Sequence, residues 1–143
     1  MGARVELARV AAVAAEVLAG IGGVAEVCAV HLRDMPAGAV VALQMTSRSS
    51  RTWQAQVAQV ARAAAVLGLV SVELEPCAGY VRVSASGLVC SRSGEARVEA
   101  WTHLQGGDVA ACAERLGVSL YPGGATVVLP ALSLSTVAGA VAA

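Results

Sequence analysis

The segment that decides the fold is Val70–Glu75, VSVELE. Val70, Val72 and Leu74 alternate with Ser71, Glu73 and Glu75, the period of a strand with one face in a core and the other in water. Downstream, Tyr80–Val89 (YVRVSASGLV) and Ala96–Leu104 (ARVEAWTHL) keep the pattern, with the turn CSRSGE between them. Half-buried, alternating strands joined by short turns predict an antiparallel meander. Val81, Val83, Val98 and Ala100 are expected inward, and Arg82, Arg97, Glu99, Trp101 and His103 outward.

Upstream the period changes. Arg4–Ala19 repeats at helical spacing, with Leu7, Val10, Ala14, Val17 and Ile21 on one face and Glu6, Arg9, Val13 and Glu16 opposite. Val24–Arg33 and Ala39–Met45 flank the turn DMPAG and read as two strands. Arg51–Leu67 returns to helical spacing through Trp53, Val57, Val60, Ala64 and Leu67, with Gly68 as a stop. Asp108 is expected to cap a short helix ending before Gly117, and Ala125–Leu129 to form an edge strand ahead of Pro130. Helix plus hairpin occurs twice, over Glu6–Met45 and Trp53–Ser84, a weak repeat. The expected architecture is an α+β two-layer sandwich, α-ββ-α-βββ-α with a C-terminal edge strand. Its helices cover one face of a mostly antiparallel sheet. Residues 1–130 are read as a single domain and 131–143 as an apolar C-terminal tail.

The chain has 143 residues, 57% hydrophobic and 14% charged, which excludes a disordered segment and suffices for one core. There is no Phe, so the core must be Ala, Val and Leu. The net charge is zero, which gives no long-range attraction for a polyanion and argues against a nucleic-acid partner. All basic residues are Arg. With so much Ala, Val and Gly, this suggests a high-GC genome, such as an actinobacterium, its phages or its plasmids.

Cys28, Cys77, Cys90 and Cys112 form no CxxC, so a reducing, cytoplasmic setting is expected, or a virion if the origin is a phage. Charges interrupt any signal-peptide core near the N-terminus. Leu116–Ala143 carries no charge, but Pro122, Gly123, Gly124 and Pro130 break it. The remaining Ala131–Ala143 would span only about 20 Å as a helix, so a membrane span is not expected.

Three surfaces stand out. The outer sheet face carries Arg82, Glu99, Trp101 and His103, where an outward indole among charges suits a protein partner. The second is MTSRSSRTW, Met45–Trp53, where Ser47, Arg48, Ser49, Ser50 and Arg51 crowd a helix start. Helix N-termini attract anions, so a phosphate or carboxylate ligand is one reading and plain capping the other. The third is the tail, where Leu134, Val137 and Val141 share a helical face and would dock either on the domain or on a neighbouring subunit.

Other templates fail. Gly20–Gly23 follows a helix, whereas a dinucleotide fingerprint follows a strand. Cys28 and His31 point to opposite faces of a strand unless a bulge intervenes. Glu73, Glu75 and Glu99 are interleaved with arginines that neutralise them. No catalytic residue, cofactor or metal is assigned. The sequence thus suggests a small non-catalytic interaction or assembly protein, self-associating or bound to a protein partner. The alternative is a binder or enzyme recognising an anionic group at the Ser/Arg seam. In layout alone, helices over an antiparallel sheet, the chain is similar to small phage head–tail connection proteins.

Overall fold

A computed structural model describes the backbone of residues 2–36, 38–45 and 52–142, and the side chains of 6–36, 38–45 and 52–137. The chain runs α1 (Gly2–Ile21), β1 (Val27–Met35), β2 (Gly38–Met45), α2 (Trp53–Leu67), β3 (Ser71–Cys77), β4 (Tyr80–Ser91), β5 (Gly94–Leu104), α3 (Gly107–Leu116), β6 (Val127–Pro130) and α4 (Ala131–Ala142). The six strands form one sheet in the order β1-β2-β5-β4-β3-β6. Neighbours pair antiparallel except β2 and β5, which run parallel. The class is α+β, with helices packed on a mostly antiparallel sheet.

Alternation builds the core as expected on the central strands. Val72, Leu74, Val81, Val83, Val98 and Ala100 are buried, and Val41 and Leu43 of β2 join them from across the parallel pair. Val70 differs, being 81% exposed. It lies just before β3, where it accepts a hydrogen bond from the Ala131 N–H at 2.9 Å and helps join β6 to α4. Gly87 faces the core opposite Val98, and a Cβ there would come within 3.1 Å of Leu69 Cδ2. The missing side chain lets the segment after α2 approach the sheet closely.

α1 packs over β2 and β5 through Val10, Val13, Ala14, Val17 and Ile21. Val13 is therefore inward and Leu7, at 54% exposure, outward, the reverse of the expected assignment. Two polar contacts tie α1 to the β4–β5 hairpin. Arg9, itself paired with Glu6, donates to the Glu95 carbonyl oxygen. The Glu16 carboxylate accepts from the Ser93 hydroxyl at 3.0 Å and its N–H at 3.4 Å. Hydrogen bonds from the Ser91 hydroxyl and from Ser93 hold that carboxyl below its usual range.

α2 is buried on much of its circumference because the sheet, α1 and α4 surround it. Even the polar Gln59 is only 4% exposed. Its Oε1 accepts the Glu26 N–H at 2.8 Å, fixing the chain just ahead of β1. The apolar tail beyond residue 130 is helix α4, packed along α2 and joined to the common core through Leu134 and Val137. At α3 the cap is Gly106, and Asp108, expected as the cap, lies instead inside the first turn.

Candidate functional site

The outer face takes its shape from the β4–β5 register. Arg82 lies opposite His103, Ser84 opposite Trp101 and Ser86 opposite Glu99. The small Ser84 leaves room above the indole. Arg82 fills it: its Cζ sits 5.1 Å from the Trp101 ring centroid, and its guanidinium pairs with Glu99 on the far side. His103 packs beside the indole at 4.6 Å between centroids, and Tyr80 beside His103 at 4.3 Å. The result is a row, Tyr80–His103–Trp101, with a cation laid over its end.

Trp101 thus lies on the outer face but is only 8% exposed. The structure brings together Arg82, Glu99, Trp101 and His103 of the sequence-derived surface, yet presents the arginine and its ion pair rather than a free indole. Among the described residues, Trp101 Nε1 has no hydrogen-bond partner although it is buried. Burial, and then the Arg82 charge, push the His103 imidazole below its ordinary value. Tyr80 is pushed up, chiefly by its hydrogen bond with Cys77. An imidazole wedged between two rings, with a paired arginine above, is a packed platform.

The other sequence-derived positions fare differently. Ser47, Arg48, Ser49, Ser50 and Arg51 lie outside the described residues. The cap of α2 is Thr52, whose Oγ1 accepts the Ala55 N–H at 3.2 Å. Leu134 and Val137 are buried within the chain's own core, which removes them from any free docking surface in this arrangement; the side chain of Val141 lies outside the described ones. β1 carries a bulge between Val27 and Ala29, at Cys28. Among the described residues, however, no group of three or more His, Cys, Asp or Glu gathers as metal ligands. The Cys90 thiol donates toward Glu95, which pushes its pKa up and disfavours the thiolate. The described residues include no helix long and apolar enough to cross a membrane.

One surface was not marked in the sequence. β1 forms the sheet's edge, and the five residues His31–Met35 are all exposed. Val30 and Leu32 point to the helix-bearing face, since they lie opposite Leu43 and Val41, and they are 37% and 36% exposed because α1 covers β1 only in part. A hollow of about 180 Å³ lies beside them, lined by Leu7, Val10, Leu32 and Ala39 with Glu6, Arg33 and Asp34 at its rim. Around the end of the sheet a broader groove of about 640 Å³ runs past Met35, Val40, Leu88 and Arg97. The sequence showed Val24–Arg33 as a strand. That it would be an outermost strand depends on β5 taking the inner place beside β2, which no local pattern encodes.

No family model matches the chain, and no curated protein or solved structure proved similar to it.

Proposed function

We propose that this chain is a small interaction protein, without catalytic activity of its own, that meets a protein partner along β1. One observation carries the reading: a nine-residue strand lies at the sheet edge with its last six residues exposed and an apolar hollow at its side. An open edge is a row of unpaired backbone donors and acceptors, a template for another strand. Exposed apolar side chains beside it supply the desolvation that backbone pairing lacks. The outer-face row of Tyr80, His103 and Trp101 lies two to three strands away on the other face of the sheet and is a packed surface, not a reactive centre. An origin in an actinobacterial phage, plasmid or accessory locus belongs to the same proposal and rests on composition and layout.

The test is contact in the producing cell. A photo-reactive residue placed at position 32 should give protein adducts, and the same residue at position 114, exposed on α3, should not. Adducts at position 32 no more abundant than at 114 overturn the reading.

A further inference from the structure

We infer that the partner on β1 is a second copy of this chain, its β1 running antiparallel about a two-fold axis at His31. This rests on the interaction reading and names its occupant. Strand register selects that occupant. Directly opposed residues of an antiparallel pair share a face, so a strand meeting itself about a two-fold axis must centre on a residue. Four centres keep the exposed part of β1 in register.

Centring on Arg33 sets two guanidinium groups against each other and Asp34 against Leu32. Centring on Leu32 sets Asp34 against Val30 and His31 against Arg33. Centring on Val30 places Leu32 against Cys28, so the bulge that interrupts regular pairing falls two residues from the axis. Centring on His31 sets the two His31 side chains against each other and Leu32 against the partner copy's Val30, twice, with Arg33 against Ala29; the bulge is met only further out, where Asp34 faces Cys28. Apolar meets apolar and no two arginines face each other. The Leu32–Val30 pairs fall on the helix-bearing face, beside Leu7, which is 54% exposed. In the dimer both copies carry their helices on that same side, so each copy's Leu7-lined hollow lies beside the other copy's Val30. With zero net charge, nothing at long range holds two copies apart.

The opposite edge offers no equal site. β6 has four residues and ends in Pro130, which donates no hydrogen bond.

Sedimentation of the full chain up to about 100 μM should show reversible monomer–dimer exchange, since a strand-edge contact lies at the small end of stable interfaces. Leu32→Arg should weaken the dimer at least tenfold, and Val128→Arg on the other edge should leave it unchanged. For register, His31→Cys in a Cys28→Ser, Cys90→Ser background should cross-link to a dimer on mild oxidation, while Glu73→Cys in that background should not. A chain monomeric throughout, a dimer indifferent to Leu32→Arg, or a dimer that His31→Cys fails to cross-link overturns the inference. Adducts at position 32 to a different protein, with the chain monomeric, also overturn it while leaving the interaction reading standing; absence of any adduct removes both.

Discussion

The two edges of the sheet are finished in opposite ways. β6 is four residues long, ends at Pro130 and turns at once into α4, which folds back along α2 and buries Leu134 and Val137. β1 is nine residues long, and the helical layer covers it only partly, leaving Val30 and Leu32 exposed. A sheet that needs only to stay soluble blunts both edges. One edge is closed with a proline and a helix while the other stays long and apolar-flanked, and the proposed role of β1 rests on that contrast. Substitutions at the two edges should therefore differ in kind: the closed edge answers in stability and the open edge in association.

The largest effect is expected under the closed edge. Leu134 is fully buried, so Leu134→Ala removes apolar contacts and leaves a cavity between α4 and α2. The expected loss is about 2–5 kcal/mol in urea unfolding. A cost below about 0.5 kcal/mol, the range of surface changes, would mean that α4 does not hold that position. Next comes the joint that aims β1. Gln59 Oε1 accepts the Glu26 N–H in a buried setting. Gln59→Ala should cost about 1 kcal/mol and raise hydrogen exchange at the start of β1 more than in β6. Equal exchange at both edges would show that Gln59 does not fix β1.

How much of this contrast could be read beforehand differs from element to element. The inward placement of Val72, Leu74, Val81, Val83 and Val98 was legible, because period two is a local property of the strand. The outward placement of Trp101 was legible for the same reason. Its cover was not, since Arg82 reaches it diagonally from the neighbouring strand, and diagonal contacts depend on register. On α1 the inward Val10, Ala14, Val17 and Ile21 were legible, but Val13 proved inward and Leu7 outward, because an Ala/Val-rich helix is apolar on nearly every side. The parallel insertion of β5 beside β2, which exiles β1 to the edge, is a choice among strands distant in sequence. The Ser/Arg seam drew attention by composition, yet the cap proved to be Thr52 at its end.

Between the edges lies a smaller, pH-dependent effect. Burial and the Arg82 charge push His103 below its ordinary value of 6.5. Below that value the unfolded chain takes up a proton there before the folded chain does. Stability is therefore full above the ordinary value and declines as pH falls through it. Glu16, held below 4.5, responds only in more acidic solution. The melting temperature should thus fall from pH 7.5 to 5.5, and His103→Gln should flatten the decline. An identical slope in the variant would show that the ring stack imposes no penalty on the imidazolium.

The smallest effect on folding is expected at the open edge, and its size bears most directly on the comparison. Leu32 is 36% exposed, so Leu32→Ala should cost the dilute chain no more than about 1 kcal/mol, well short of the loss at Leu134. Mass action makes a second demand. Association of folded chains stabilises them in proportion to the logarithm of concentration, so the melting temperature of the unmodified chain should climb as protein is added. Leu32→Ala should flatten that climb while leaving the dilute value in place. A large loss at every concentration would instead make Leu32 a core residue of the single chain, and the two edges would then differ only in length.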